Sequence, residues 1–196
     1  MTPTPSNVQS LANFAWSIAE LLRGDFKQSE YGKVVLPLVV LRRLDLILEP
    51  TKDAVLSAHA NLPVDIDDET RKTILLAAVG SDIKAYNTSR FTFAKLKQQD
   101  PGQLHANLVD YIMGFSPDVQ DVFLEKFLLT DQLKRLNDAG LLWKVFERFT
   151  EIDLHPKTVS NIEMGYLFEE LIRRFSEISN ETAGEHFTPR EVIRLI

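Results

Sequence analysis

One run of residues is apolar on nearly every side, and it limits the possible folds more than any other part of the sequence. Residues 34–48 are almost all aliphatic. The three- and four-residue spacing of Leu41, Leu44 and Leu48 favours a helix, beginning near Ser29 or Glu30 and ending about Glu49, over a buried strand at residues 34–40. A helix that is apolar all round is usually buried at the centre of a bundle, so we expect an all-α fold built around it.

Three polar or helix-breaking residues interrupt this run. Pro37 lies inside it and is expected to remove one backbone hydrogen bond and to bend the helix axis. Arg42 and Arg43 follow. In an acidic chain we expect them to pair with carboxylates rather than with phosphate.

The remaining helices are predicted from amphipathic spacing and from their end signals. We expect a first helix carrying Leu11 to Leu22 with Ser6 as N-cap and Gly24 as stop, and a later helix capped by Asp67 or Asp68. Short apolar stripes separated by turns indicate a compact multi-helix domain. The predicted helical segments are Leu11–Leu22, Pro50–Asn61, Glu69–Val79, Leu104–Phe115, Val119–Phe127, Leu129–Gly140, Leu141–Ile152 and Ser160–Ser179.

Two segments keep alternative interpretations. Tyr86 to Phe93 has the only strand-like alternation and is either a short hairpin arm or an ordered loop. In the last long helix, Met164, Phe168, Leu171, Phe175 and Ile178 recur at steps of four and three, and Leu167 and Ile172 are predicted to widen this apolar stripe. This pattern fits a coiled-coil seam, but two to three heptads are few, and packing within the domain is favoured.

Charge and composition exclude several classes of function. The 196 residues include 22 Lys and Arg against 28 Asp and Glu, a net charge of −6, which argues against a free-standing nucleic-acid binder while leaving room for a local basic patch. The absence of cysteine excludes disulfides and thiolate metal sites. No signal-peptide pattern or membrane-spanning run occurs, so we expect a cytoplasmic protein without membrane contact.

Residue chemistry by itself reveals no complete active site. The four histidines, His59, His105, His155 and His186, are isolated in sequence, so we predict no metal site. No nucleophile elbow, phosphate loop or glycine-rich dinucleotide turn is present, and we predict no catalytic residue in this chain. The carboxylate pairs Asp67-Asp68 and Glu169-Glu170 are most simply solvated faces.

The strongest binding signal is the stretch Gly184-Glu185-His186-Phe187-Thr188-Pro189-Arg190. Thr188 is a good N-cap and Pro189 a good first helical residue. Amides at a helix start carry partial positive charge and can hold an anion or carboxylate. The stretch is therefore either a small-molecule turn or simply a helix cap with an anchoring aromatic.

Together with Gly165-Tyr166-Leu167-Phe168-Glu169-Glu170-Leu171-Ile172, this stretch resembles the HsdM-like adenine DNA methyltransferase (modification) subunits of type I restriction–modification systems. The resemblance extends to Leu11–Leu22, to Tyr31–Leu48 with its Leu41-Arg42-Arg43-Leu44-Asp45, and to the pair Tyr86-Asn87. It implies an amino-terminal helical domain at residues 1–155. It also implies that residues 156–196 are a linking helix and the truncated start of a Rossmann-like methyltransferase domain.

The resemblance further implies a cofactor and partners. The cofactor is S-adenosylmethionine, and the turn that contacts it matches Glu185, His186, Phe187, Thr188, Pro189 and Arg190, with His186 where an aromatic is usual. The implied partners are a specificity subunit, a restriction subunit, a second copy of the methyltransferase subunit and duplex DNA in the full complex. The helical domain would serve subunit assembly and close the complex around DNA.

Two functions follow from these observations. In the first, the chain is the amino-terminal region of such a methyltransferase and is inactive by itself, because the family's Asn-Pro-Pro-aromatic motif, which holds a flipped-out adenine, is absent from it. In the second, it is a non-catalytic helical interaction module, or a truncated remnant, that binds the specificity subunit.

Overall fold

The computed structural model describes residues 5–180, which form helices joined by short turns and contain no β-strand. The all-α prediction is confirmed. A π-helical stretch at Val122–Lys126 also lies within this part of the chain. The α-helices are α1 (Pro5–Leu21), α2 (Tyr31–Leu48), α3 (Lys52–Ala60), α4 (Asp68–Val79), α5 (Phe93–Lys97), α6 (Leu104–Met113), α7 (Pro117–Asp121), α8 (Leu129–Asp138), α9 (Leu142–Glu151) and α10 (Asn161–Asn180).

The chain divides into two compact units. One comprises the described parts of Met1–Leu36 and Val159–Ile196, and the other is Pro37–Thr158. We call them the terminal unit and the central unit. The division differs from a simple cut after residue 155, and the boundary between a helical domain at 1–155 and a second domain at 156–196 stays a prediction.

In the terminal unit, α1 and α10 pack against each other. The ring of Trp16 stacks on that of Phe175, with centroids 5.7 Å apart and an interplanar angle of 25°. Leu167 and Leu171 are fully buried, whereas Ile172, predicted to widen the apolar stripe, is 42% exposed. The predicted stripe of α10 is therefore correct along its centre and too wide at that edge.

The ends of these two helices are fixed by local chemistry. Gly24 has a φ of +98°, a conformation that glycine adopts without steric cost, so the predicted stop after α1 is confirmed. Helix α1 begins at Pro5, which places Ser6 inside the helix rather than at the predicted cap. At α10, the backbone N–H of Ser160 donates to Glu163 Oε2 at 2.8 Å, and the N–H of Glu163 donates to Ser160 Oγ at 3.2 Å. This reciprocal pair is a capping box.

Helix α2 has the burial that its apolar composition predicts. Only Lys33 among its residues is exposed, and Pro37 lies inside the helix as expected. The alternative of a strand at residues 34–40 is wrong, because the helix is continuous from Tyr31 to Leu48.

Aromatic side chains form the core of the central unit. The rings of Phe93 and Phe146 have centroids 5.0 Å apart, and the ring of Tyr111 lies 5.2 Å from that of Phe115. Phe115 in turn contacts Phe123 at 5.6 Å. Because these residues come from α5, α6, α9 and the segments between α6 and α8, the aromatic contacts join elements that are distant in sequence.

One connection in the central unit departs from regular helix geometry. After the π-helix, Leu128 takes a left-handed backbone conformation with a φ of +48°, and half of its surface is exposed. A leucine in this region is strained, because its Cβ approaches the backbone. Helix α8 begins directly after it, and Gly140, with a φ of +68°, ends that helix as predicted.

None of the helices within residues 5–180 has both the length and the apolar character needed to cross a membrane.

Candidate functional site

The predicted cofactor turn, Glu185 to Arg190, lies outside the described residues, which end at residue 180. The structure does place the adjoining run Gly165–Ile172, which forms the middle of α10. There Glu170 accepts hydrogen bonds from Nη2 of Arg173 and Nε of Arg174, both at 2.8 Å. These arginines hold the pKa of the Glu170 carboxyl below its usual range, with Arg173 contributing most. The helix leading towards the predicted turn therefore carries a paired carboxylate rather than a solvated one.

Arg174 also connects the two helices of the terminal unit. Both terminal nitrogens of Arg174 donate to Oδ1 of Asn13 in α1 at 3.0 Å. The guanidinium thereby bridges Asn13 and Glu170 and fixes the register of α1 against α10.

Buried polar residues are concentrated in the central unit, around the loop formed by residues 85–92. We call this segment the Asn87 loop. Few polar residues are buried in proteins without hydrogen-bond partners, so a concentration of them marks a position that the fold specifies closely. The buried polar residues near this loop are Asp45, Lys52, Asn87, Ser89, Thr92 and Ser116, and Ser116 is the most buried of them.

Asp45, on α2, connects that helix to α5 and α6. Its side chain is 2% exposed, and Oδ1 accepts hydrogen bonds from the backbone N–H of Phe93 at 3.0 Å and from the hydroxyl of Tyr111 at 2.9 Å. Burial raises the pKa of the Asp45 carboxyl, and these two bonds together with Arg42 oppose the increase. The carboxyl uses its acceptor capacity within the protein, which is the arrangement expected of a structural acid.

Arg42 and Arg43 extend from α2 to the segment after α9. Nη1 of Arg42 lies 3.0 Å from Oδ2 of Asp45, and its Nε donates to the carbonyl of Ile152 at 3.1 Å. Arg43 donates to the carbonyl oxygen of Leu154. The expected pairing with a carboxylate is thus confirmed for Arg42.

Lys52, the first residue of α3, also contacts the Asn87 loop. Its Nζ donates to Oδ1 of Asn87 at 2.8 Å and lies 5.4 Å from the centre of the Tyr111 ring. Only 6% of its surface is exposed, and burial lowers the pKa of the ammonium to about 8. A lysine with a lowered pKa is a candidate nucleophile, but this one is covered by protein and already hydrogen-bonded.

The amide of Asn87 completes the anchoring. Its Nδ2 donates to the carbonyl of Tyr111 at 2.8 Å, and its Oδ1 also accepts the backbone N–H of Ser89 at 2.9 Å. Backbone bonds flank it, from the N–H of Thr88 to the carbonyl of Gly114 at 2.7 Å and from the N–H of Ser116 to the carbonyl of Tyr86 at 3.0 Å. These bonds form an isolated bridge rather than a sheet, so the hairpin alternative is wrong and the segment is an ordered loop.

Gly114 lets the end of α6 approach the Asn87 loop. A Cβ at this position would lie 2.5 Å from the backbone nitrogen of Ser89 and 2.8 Å from Oδ1 of Asn87. Such distances are too short for any side chain. The residue must therefore be glycine for steric reasons, although its φ of −78° is open to all residues.

The cluster around Asn87 positions a surface segment rather than reactive groups. The side chains of Asp45, Lys52 and Asn87 are hydrogen-bonded within the protein, whereas the buried hydroxyl of Ser116 has no hydrogen-bond partner in the described part of the chain. Within residues 5–180, no group of three His, Cys, Asp or Glu side chains is arranged to hold a metal ion. A shallow cavity of about 340 Å³ lies elsewhere in the central unit, lined by Leu76, Ala77, Gly80, Ser81, Ile83 and Lys84.

The family resemblance includes Asp45 and Asn87, but nothing in the sequence shows that the two belong to one cluster. Asp45 is an acidic residue in an apolar helix, and its partners Phe93 and Tyr111 are 48 and 66 residues away. The residues themselves give one further signal, the polar run between Tyr86 and Phe91, which fits either a loop or a hairpin.

Comparison with known proteins gives one assignment. The family model of the HsdM N-terminal domain matches residues 11–149, which include the Asn87 cluster but neither Gly165–Ile172 nor Gly184–Arg190. A comparison with curated proteins found no match. The match covers more than half of the sequence, and so the chain belongs to the HsdM N-terminal domain family, the family of the helical domain in methyltransferase subunits of type I restriction–modification systems.

Proposed function

We propose that this chain is the amino-terminal region of an adenine-specific DNA methyltransferase subunit of a type I restriction–modification system. The observation that carries the proposal is the family match over residues 11–149. The resemblance of Gly184 to Arg190 to the cofactor turn of these enzymes supports it independently, because those residues lie outside the match.

The proposed cofactor is S-adenosylmethionine, with Glu185, His186, Phe187, Thr188, Pro189 and Arg190 along one side of its pocket. Residue chemistry supports this assignment. Phe187 offers an apolar surface, and the helix amides after Thr188 offer donors for the methionine carboxylate. When bound, the cofactor supplies the methyl group.

This chain is not expected to transfer a methyl group by itself. Methyl transfer to adenine in DNA requires the base to leave the stack and enter a pocket that holds its exocyclic amine. In the adenine methyltransferases that the chain resembles, an Asn-Pro-Pro-aromatic motif performs this task, and the 196 residues contain no such motif. The helical part is therefore assigned to assembly with the specificity and restriction subunits and a second methyltransferase subunit, and to closing the complex around DNA.

Two binding measurements test the proposal. We expect the chain to co-elute with a type I specificity subunit in size-exclusion chromatography, and calorimetric titration with S-adenosylmethionine to give weak binding or none. Failure to associate with any of several type I specificity subunits would contradict the assembly role. Tight cofactor binding would contradict the view that the pocket needs a further domain.

A second function, that of a non-catalytic interaction module, is favoured by the closed Asn87 cluster, whose polar groups are used for structure. The two functions predict different binding behaviour of the complete gene product. Cofactor binding by the subunit that carries the catalytic motif, reduced by Phe187→Ala, supports the methyltransferase, whereas association with the specificity subunit without any cofactor binding supports the module.

A further inference from the structure

One segment of this acidic protein is purely basic. Residues 83–99 contain four cationic side chains and no Asp or Glu, in a chain with a net charge of −6. We call residues 83–99 the basic segment. Its cations are Lys84, Arg90, Lys95 and Lys97.

These four cations are all exposed, and none makes an ion pair within the part of the chain that the structure describes. Elsewhere in the central unit, by contrast, Arg42, Lys72 and Arg148 are each paired with a carboxylate. The guanidinium of Arg90 lies over the ring of Phe91, 4.8 Å from its centre.

The acidic residues nearest in sequence are engaged locally. Asp82, just before the segment, accepts from the hydroxyl of Ser81 at 3.3 Å, and Asp100, just after it, accepts from the N–H of Gly102 at 2.7 Å. Asp110 accepts from the hydroxyl of Ser89 at 2.6 Å. None of these three carboxylates forms an ion pair with a cation of the basic segment within the described residues.

The fold holds this segment in place. The Asn87 loop forms its first half, and the buried contacts of Asp45, Lys52 and Asn87 fix that loop to α2, α3 and α6. In its second half Phe93 and Leu96 are fully buried, so α5 is anchored by its apolar face. Because the backbone that carries the cations is anchored, less entropy is lost on binding than with cations on a mobile loop.

The surroundings of the cations select the class of anion. Phe91, Phe93 and Leu96 are buried, and Ile83, beside Lys84, is half-buried. The segment itself therefore exposes no large apolar side chain that would insert into a lipid surface or stack on an unpaired base. What remains is a binding mode by charge alone, which suits the regularly spaced phosphates of a duplex.

We propose that Lys84, Arg90, Lys95 and Lys97 bind the sugar-phosphate backbone of duplex DNA, independently of sequence. The inference rests on the proposed function, which brings duplex DNA to this domain, and adds the residues that contact it. Such contacts position a protein on DNA, whereas sequence is recognised through base edges.

The proposal predicts a defined salt dependence. Each phosphate contact displaces counterions, and the slope of log K against log salt concentration falls by about 0.9 for each contact. Removing three of the cations should therefore reduce the slope by about 2 to 3 and weaken binding at least about tenfold at low salt.

A matched pair of triple variants tests this. Lys84→Gln/Lys95→Gln/Lys97→Gln removes three exposed lysines of the basic segment and leaves Arg90, whose guanidinium lies over the Phe91 ring, unchanged. Lys126→Gln/Lys144→Gln/Lys157→Gln removes three exposed lysines elsewhere in the central unit, with the same change in net charge. Binding of the chain to a labelled random duplex of about 30 base pairs is followed by fluorescence anisotropy from about 50 to 200 mM salt. Thermal unfolding verifies that both variants fold.

We expect the basic-segment variant to bind DNA more weakly than the parent chain and with a shallower dependence of log K on log salt concentration. The control variant should keep the parent's affinity and slope within about twofold. The absence of salt-dependent binding by the parent chain, or equal losses in the two variants, would overturn the inference. A chain that associates with the specificity subunit without binding DNA through these lysines refutes the inference alone. Failure to associate with that subunit refutes the proposed function, whatever the DNA result.

Discussion

The ammonium of Lys52 donates a hydrogen bond of 2.8 Å to the side-chain oxygen of Asn87, 35 residues further along the chain. The pair links the start of α3 to the Asn87 loop and is buried on both sides. Because a buried ammonium is desolvated, the same contact that fixes the loop makes the stability of the central unit depend on pH.

Because of Lys52, the protein should be more stable in mildly alkaline solution than at neutral pH. Its pKa is about 8 in the folded protein against a usual value of 10.5, so between these values the unfolded chain binds more protons and the free energy of unfolding rises with pH. Urea unfolding from pH 7 to about 9.5, below the titration of the tyrosines, measures this rise. It should be absent in Lys52→Met, and an equal rise in that variant would assign it to another group.

Asp45 should contribute strongly to stability. Asp45→Ala leaves Nη1 of Arg42, the N–H of Phe93 and the hydroxyl of Tyr111 without the acceptor that Asp45 provides. The loss of one partner of a buried pair costs about 3–5 kcal/mol. Asp45→Asn keeps an acceptor oxygen and should cost less. Exposed Asp121→Ala is the control and should stay within about 0.5 kcal/mol. Similar effects for Asp45→Ala and Asp121→Ala in chemical denaturation would contradict the role of Asp45.

The same substitution at two glycines should have opposite effects. Gly114→Ala places a Cβ 2.5 Å from the nitrogen of Ser89 and should destabilise the protein by about 1–3 kcal/mol. Gly165→Ala, in the interior of α10 with open space around it, should stabilise by up to about 1 kcal/mol. Thermal unfolding of the two variants compares them directly, and a stabilising Gly114→Ala would refute the close contact.

At position 128, a glycine variant should be more stable than an alanine variant. At its φ of +48°, Leu128→Gly relieves strain that Leu128→Ala retains, while both remove the same side-chain contacts. We expect the glycine variant to be more stable by about 1 kcal/mol. At Leu56, inside α3, the order should reverse, with alanine more stable by about 1 kcal/mol. Equal stability of the two Leu128 variants would argue against the left-handed conformation.

The stacked rings of Trp16 and Phe175 should be energetically coupled. A double-mutant cycle with Trp16→Leu and Phe175→Leu keeps apolar bulk but removes the ring contact, and we expect a coupling of about 0.5–1.5 kcal/mol. Additive effects in chemical denaturation would show that the two rings contribute only by burial.

The sequence predicted the helices because apolar spacing is a local property. The residues of α2 and the centre of α10 follow the spacing rules, and Asp67 caps α4 by accepting the N–H of Thr70 at 2.9 Å, as expected. The π-helix at Val122–Lys126 was not predicted, since inserting one residue into a helical turn leaves the composition unchanged.

The Asn87 cluster could not be predicted for a different reason. Asn87 and Ser89 are residues that any turn contains, and their burial follows from contacts with α3 and α6 that no spacing rule encodes. The basic segment was visible in the sequence as four cations without acids. Its exposure and its anchoring became apparent only from the fold.

The packing of α1 against α10 has a consequence for how the protein is made. Helix α1 leaves the ribosome about 140 residues before α10, which corresponds to roughly ten to thirty seconds at usual elongation rates. Throughout that interval the apolar face of α1, including Ala15 and Ile18, has no α10 to cover it. The terminal unit therefore cannot form until synthesis has passed residue 180, whereas all residues of the central unit are available before then.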